Sequence, residues 1–237
     1  MSNELSILFI TAVSLGFLHT IFGPDHYVPF IAMSKAGNWS MTKTIFITII
    51  AGAGHVLSSI VIGMIGITFG LALHVLEDIE SARGNIAGWA LMCFGLIYFI
   101  WGIRYFIKNK KHTHFHFHAD SIKHQHNHSH HRDHCHVHEE TKTASLTPWI
   151  LFTIFIFGPC EALIPILMYP AANIGIGGLI LVTCAFAITT ILTMLIIVML
   201  ALKGVKFLSI EKYEKYSHAF AGALVFLCGF AVQVIKL

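Results

Sequence analysis

The stretches Phe22-Gly23-Pro24-Asp25-His26 and Phe157-Gly158-Pro159-Cys160-Glu161 decide how this chain folds. Each one interrupts a long apolar segment with Gly-Pro, and proline ends or bends a helix because it has no N–H to donate. Each interruption is followed by ionisable or metal-binding side chains. Paired interruptions at matching positions of two halves indicate the binding site of a membrane transporter.

The composition is that of an integral membrane protein. The chain is 56% hydrophobic and only 11% charged, whereas soluble domains contain about 25% charged residues. We predict an all-α, polytopic fold with six transmembrane helices, because each apolar segment reaches the ~20 residues that cross a bilayer. The predicted spans are Leu5–Ser34, Thr44–Leu73, Asn85–Ile103, Pro148–Tyr169, Ile174–Leu202 and Ser217–Ile235.

The basic residues predict the orientation of these spans. Of the 15 lysines and arginines, all except Arg83 and Lys236 lie in the segments after spans one, three and five. The positive-inside rule then places both termini outside and the long loop in the cytoplasm. Topology accounts for the net charge of +3, so the sequence predicts the lipid bilayer as a partner and no nucleic acid.

The chain divides into two halves around the long loop. Glycines seven residues apart mark the third helix of each half, at Gly88 and Gly95 and again at Gly222 and Gly229, and such stripes let helix backbones approach closely. Because three spans is an odd number, the second half is predicted to be inverted relative to the first. The predicted units are a first three-helix repeat (1–107), a His-rich cytoplasmic loop without structure of its own (108–147) and a second three-helix repeat (148–237).

The first interruption carries a candidate metal site. His19 and His26 lie seven residues apart and would share a helix face, while the break at Gly23-Pro24 allows Asp25 to turn towards them. Imidazole and carboxylate suit divalent transition metals, and an ionised carboxylate in a membrane needs a partner such as a cation. The structural alternative is that Asp25 pairs with His26 or with a helix N-terminus.

His55, Cys160 and Glu161 are the other candidates. His55 lies early in the second span and is either a metal ligand or a histidine bonded between helices. Glu161 would balance the charge of a cation or accept a coupling proton. Cys160 would be a soft ligand or a small residue at a helix crossing. Pro159 frees carbonyls near residues 155–156, and these carbonyls need partners or face a cavity.

The loop between the halves is rich in histidine, and such tracts are typical of metal binding. The alternative is a solvated or pH-responsive linker. We predict an accessory metal-binding segment formed by 12 of the 17 histidines, namely His112, His114, His116, His118, His124, His126, His128, His130, His131, His134, His136 and His138.

These features together resemble the nickel/cobalt transporter family, in its six-helix permease, efflux and urease-accessory branch of the lysine-exporter superfamily. The family motif is His-x4-Asp-His, and here five residues separate His19 from Asp25. The resemblance implies secondary transport of Ni²⁺ or Co²⁺ as substrate, with Zn²⁺ also allowed, and no organic cofactor. It further implies a prokaryotic inner (cell) membrane and a cytoplasmic metallochaperone as a candidate partner.

Two other functions compete with transport. Gly158-Pro159-Cys160 is similar to the Pro-Cys sites of membrane thiol–disulfide electron carriers related to cytochrome-biogenesis reductases, but those use one cysteine in each half and the first half here offers Asp25. A membrane metallohydrolase is disfavoured because His-Glu-x-x-His is absent. The sequence therefore predicts a transporter rather than an enzyme.

Overall fold

Helices form nearly all of the chain that the structure, a computed structural model, describes: residues 3–108, 113–116, 124–127, 147–160, 162–207 and 216–235. The helices are α1 (Asn3–Phe22), α2 (Val28–Ala36), α3 (Met41–Phe69), α4 (Leu73–Lys108), α5 (Thr147–Phe157), α6 (Leu163–Asn173), α7 (Ile176–Phe207) and α8 (Ser217–Phe230). A 3₁₀ turn at Pro24–His26 separates α1 from α2, and a π-helical segment at Ala231–Ile235 extends α8.

Five of these helices are long and apolar enough to cross a membrane, which supports an integral membrane protein. They are Asn3–Phe22, Met41–Phe69, Leu73–Lys108, Ile176–Gly204 and Ser217–Ile235. The remaining predicted span, Pro148–Tyr169, is divided into α5 and α6, each of 11 residues. At 1.5 Å per residue, such a helix is about 16 Å long, roughly half the hydrocarbon thickness.

Both Gly-Pro sequences break a helix, as predicted. The first break (residues 23–27) follows α1, whose last bond runs from the Gly23 N–H to the His19 carbonyl at 3.1 Å. The second break (residues 158–162) separates α5 from α6, and its residue 161 lies outside the described part of the chain. In both places proline removes the N–H that would have continued the helix.

Helices α4 and α8 lie antiparallel with their backbones in contact. Along the pair Gly88 faces Gln233, Gly95 faces Phe226 and Gly102 faces Ala219. A Cβ at Gly95 would overlap the backbone nitrogen of Phe226, and one at Gly102 would lie 2.5 Å from that of Ala219. The glycine stripes predicted from the sequence are therefore the contact surface of the third helix of each half.

The two halves interlock instead of packing as separate bodies. Helix α1 packs on α7, and the divided helix α5–α6 packs on α3, so the first helix of each half contacts the second helix of the other. Likewise α2 packs on α8, while α5 and α6 both contact α4. This arrangement brings the first break, α3 and the second break together in the interior.

The loop contributes one short pair of strands. β1 (Thr113–His116) and β2 (His124–Asn127) pair antiparallel, with His114 opposite His126 and His116 opposite His124. The predicted loop residues His112, His118, His128, His130, His131, His134, His136 and His138 lie outside the described residues, and their predicted role in metal binding stays a prediction.

Candidate metal centre

Three of the predicted residues, His19, His26 and His55, form one histidine cluster. His19 lies in the last turn of α1, His26 in the 3₁₀ turn of the first break and His55 in the middle of α3. One ligand atom from each ring lies within 4.8 Å of the others. His26 and His55 are almost fully buried, at 2% and 1% exposure. The cluster therefore combines residues far apart in sequence at a position screened from solvent.

The first break sets the position of His26. The His26 N–H donates to the Gly23 carbonyl at 3.0 Å, which closes the 3₁₀ turn and points the ring back towards α1. The ring passes so close to Gly23 that a Cβ there would lie 2.5 Å from His26 Nδ1. Glycine at position 23 thus makes room for the imidazole, and Pro24 sets the turn.

The groups around His26 determine which ring nitrogen carries the proton. Nδ1 lies 3.1 Å from Asp25 Oδ1 and 3.2 Å from the Gly23 carbonyl, and both oxygens are acceptors. Nδ1 therefore donates, and Nε2 keeps a lone pair. That nitrogen lies 3.1 Å from His19 Nε2. A carboxylate that orients an imidazole from its far side is the usual outer support of a metal-binding histidine.

The second break orients His55 in the same way. In a continuous helix residue 159 would donate to the Phe155 carbonyl, but Pro159 has no N–H. His55 Nδ1 lies 3.2 Å from this carbonyl and donates to it. His55 Nε2 then carries a lone pair, and it is buried with no hydrogen-bond partner in the described part of the chain. The two Gly-Pro breaks thus prepare two imidazoles as acceptors or metal ligands.

Cys160 adds a sulfur atom to the cluster. Its side chain is fully buried, and Sγ lies 3.8 Å from His19 Nε2. For metal–nitrogen distances near 2.0–2.1 Å and metal–sulfur distances near 2.3 Å, ligand atoms around a tetrahedral ion are about 3.4 Å (N–N) and about 3.6 Å (N–S) apart. The observed N–N distance of 3.1 Å is slightly shorter than the first value, and the observed N–S distance of 3.8 Å is slightly longer than the second. Three imidazoles and one thiol suit a borderline-soft divalent ion.

The structure separates the predicted site residues into three groups. His19, His26 and His55 come together and Cys160 lies beside His19, whereas Asp25 contacts His26 on the side away from His19. Glu161 lies outside the described residues, so its predicted role in charge balance or proton transfer stays a prediction. A cavity lined in part by Asp25, His55 and Phe155 adjoins the cluster between α2, α4 and α5.

Sequence reasoning missed one buried ion pair beside this site. Glu80 and Arg83 lie three residues apart on α4 and bond each other, and Glu80 is fully buried. The predicted third span began at Asn85, which put both residues among the charges of an external loop. The available signal was spacing: Glu80 falls on the stripe of buried residues that includes Leu76, Ala87 and Leu91.

Comparison of the chain with protein-family models, with characterised proteins and with solved structures finds no match. The function must therefore be argued from the site itself.

Proposed function

We propose that this chain is a secondary transporter that carries a divalent transition-metal ion, nickel or cobalt, across the membrane. The ion would be held by His19, His26 and His55, with Cys160 as a fourth ligand. The two halves would expose this site alternately to each side by moving about their Gly-Pro breaks. Import and efflux use the same ligands, so the proposal concerns the substrate and the site and leaves the direction open.

The observation that carries the proposal is the partnerless nitrogen of His55. Buried polar atoms nearly always have a hydrogen-bond partner, yet His55 Nε2 has none among the residues that the structure describes. His55 belongs to the same cluster as His19 and His26, in which one ligand atom of each ring lies within 4.8 Å of the others. The Nε2 atoms of His19 and His26 are hydrogen-bonded to each other, so one of them carries a proton. That proton must leave before both atoms can bind an ion. A metal ion would satisfy all three nitrogens at once.

The contacts between helices support the inverted repeat. Most contacts between the halves have a counterpart when the halves are exchanged: α1 on α7 matches α5 on α3, α2 on α8 matches α6 on α4, and α2 on α7 matches α6 on α3. The antiparallel pair α4–α8 relates the third helices to each other. Transporters built from inverted repeats bind substrate at the repeat interface, which is where the histidine cluster lies.

Charge also favours a cation. The Asp25 side chain is 22% exposed and lies in the turn directly after the apolar helix α1; in the proposed transporter this turn would lie within the membrane, where an ionised carboxylate is costly unless it is paired. Its described partner is the Nδ1–H of His26. A divalent ion on the Nε2 atom of the same ring would be compensated by this carboxylate. The sequence has no phosphate-binding GxxxxGK[ST] motif, so the proposed coupling is to protons or to the membrane potential.

The electron-carrier alternative gains no support from the described cysteines. A thiol–disulfide carrier needs a second cysteine that can reach Cys160, but Cys93, Cys160, Cys184 and Cys228 are all unpaired in the described part of the chain. Cys160 is also fully buried, so a reducing partner could not reach its thiol without a change of conformation. The same sulfur beside His19 suits metal coordination.

Ion flux into proteoliposomes tests the proposal. The protein is compared for Ni²⁺, Co²⁺ and Zn²⁺, as wild type, as His26→Ala, and as His74→Ala, a change of an exposed histidine outside the cluster. Loss of outer contacts to a metal ligand lowers affinity 10–100-fold, so loss of the ligand itself should reduce flux by more than about 100-fold. His74→Ala should transport as wild type does. Absence of flux for all three metals would refute the proposal, and wild-type flux in His26→Ala would remove His26 from the site.

A further inference from the structure

The buried pair Glu80 and Arg83 contacts both sides of the second break. Glu80 Oε2 accepts the backbone N–H of Cys160 at 3.0 Å. Arg83 Nη2 donates to the carbonyl of Ile156 at 2.7 Å. The two side chains bond each other, so one ion pair links the end of α5 to the start of the turn into α6.

This linkage replaces a particular helix hydrogen bond. In a continuous helix the N–H of Cys160 would donate to the carbonyl of Ile156, four residues earlier. Here the Cys160 N–H donates to the Glu80 carboxylate instead, and the Ile156 carbonyl accepts from the Arg83 guanidinium instead. The pair therefore satisfies the backbone groups that the break exposes, and it does so from a different helix, α4.

The same pair is tied to the helix that bears His55. Ser59 donates to Glu80 Oε2 at 3.0 Å, and Arg83 Nη2 donates to Ser58 Oγ at 2.7 Å. Both serines lie about one turn after His55 on α3. A Cβ at Gly84, the residue after Arg83, would lie 2.7 Å from Pro159 Cγ. Helix α4 thus presses directly against the second break and against α3 at once.

We propose that Glu80 and Arg83 are positioning residues that hold the second break open and so keep the Cys160 thiol beside His19. Replacement of a buried ion pair by apolar residues is often neutral or stabilising, so stability alone is a weak reason for this arrangement. Without the pair, the Cys160 N–H would be free to bond Ile156 and draw the thiol away from the cluster. The consequence for metal binding rests on the proposed function, whereas the position of Cys160 does not.

Two double variants separate the hydrogen bond from the charge. Glu80→Gln/Arg83→Met keeps a side-chain oxygen that accepts from Cys160 N–H, and Glu80→Met/Arg83→Met is nearly the same size but offers no acceptor. Both variants have uncharged side chains at positions 80 and 83. In each variant Ser58 Oγ, which donates to the Ile156 carbonyl at 2.9 Å, is unchanged. The full-length protein in lipid nanodiscs is treated with N-ethylmaleimide, and labelling at Cys160 is followed by peptide mass spectrometry. Cys228, buried in α8, serves as the internal control.

The expected result is slow labelling of Cys160 in wild type and in the glutamine variant, and labelling about tenfold or more faster in the methionine variant, the effect of losing a hydrogen bond to a buried group. Labelling of Cys228 should stay the same in all three. Equal rates at Cys160 in the two variants would overturn the proposal. If either variant fails to fold, Glu80→Gln is compared with Glu80→Met, and the same difference is required.

Cobalt binding gives the second measurement on the same samples. Co²⁺ bound with Cys160 as a ligand should show sulfur-to-cobalt absorption in the near ultraviolet, present in the glutamine variant and lost in the methionine variant. Retention of this absorption in the methionine variant would overturn the positioning role. If wild type binds no Co²⁺, Ni²⁺ or Zn²⁺, the proposed function fails, and the labelling rates still decide whether the pair positions Cys160.

Discussion

Asp25 illustrates how a residue can belong to a site without facing its centre. The sequence pattern proposes it as a ligand, and direct ligation stays a prediction. The described geometry places its carboxylate 3.1 Å from His26 Nδ1, while His26 Nε2 faces His19. In this position the carboxylate holds the proton on Nδ1, which leaves Nε2 as a donor of electrons to a metal.

Asp25→Asn should therefore weaken metal binding without abolishing it. Asparagine still offers an oxygen to His26 Nδ1–H but removes the negative charge, and changes of this kind usually lower metal affinity 10–100-fold. Affinity for Co²⁺ is measured by competition with a chromophoric chelator. The matched control is Asp78→Asn on the exposed face of α4, which should bind as wild type does. An unchanged affinity in Asp25→Asn would exclude this role.

The sequence predicted the three histidines because their signals are local or compositional. His19 and His26 are seven residues apart next to a helix break, and His55 is a polar residue in an apolar span. Glu80 had only a weak local signal, its spacing on the buried stripe of α4, and it follows two exposed acids, Glu77 and Asp78, which it resembles. Its burial depends on contacts with Ser59 and Cys160, residues 21 and 80 positions away, which no local pattern reveals.

Among the contacts between helices, the crossing of α4 and α8 is the one that the sequence predicts best. Glycines spaced by seven predicted a close crossing, and the structure places Gly95 against Phe226 and Gly222 against Phe99. The partner of each glycine could not be predicted, because a stripe of small residues does not specify what packs on it. The length of α4 was also underestimated, since its first residues, Leu73 to Gly84, include charged side chains that end the apolar pattern.

Gly95→Ala should destabilise the protein, because the new methyl group would overlap the backbone of Phe226 and neither helix can move without disturbing the other. Overpacking of this kind costs about 1–3 kcal/mol. Gly204→Ala in α7 is the matched control, since no atom of the described residues lies within 4 Å of a Cβ there and alanine favours a helix. Thermal unfolding in detergent should show a lower midpoint for Gly95→Ala only. A midpoint equal to that of Gly204→Ala would mean that α4 and α8 are not in backbone contact.

At the scale of the whole molecule, the predicted repeat has little sequence identity to support it beyond the two Gly-Pro stretches. What supports it is the pattern of contacts, in which the first helix of each half packs on the second helix of the other. This interlocking makes the two breaks neighbours although they are more than 130 residues apart in sequence. These long-range contacts between helices bring the site residues together. The sequence indicated the contacts only through the matching positions of the two breaks.

The arrangement of α5 and α6 makes the number of membrane crossings testable. If α5 and α6 together form one crossing, the chain crosses six times and both termini lie on one side of the membrane. If they enter and leave on the same side, only the five long helices cross, and the termini lie on opposite sides. The basic residues concentrated after spans one, three and five favour the first arrangement, with both termini outside.

Epitope tags placed at each terminus, and in the loop between residues 128 and 138, distinguish these topologies in right-side-out membrane vesicles. We expect antibodies to reach both terminal tags without detergent and the loop tag only after permeabilisation, because six crossings with the basic loops inside require it. The permeabilised sample controls for tag integrity, and flux measurements confirm that the tagged chains remain active. Termini of opposite accessibility would leave five crossings. The inverted repeat would then fail, since its second half would contain only two crossings, even if the histidine cluster still bound metal.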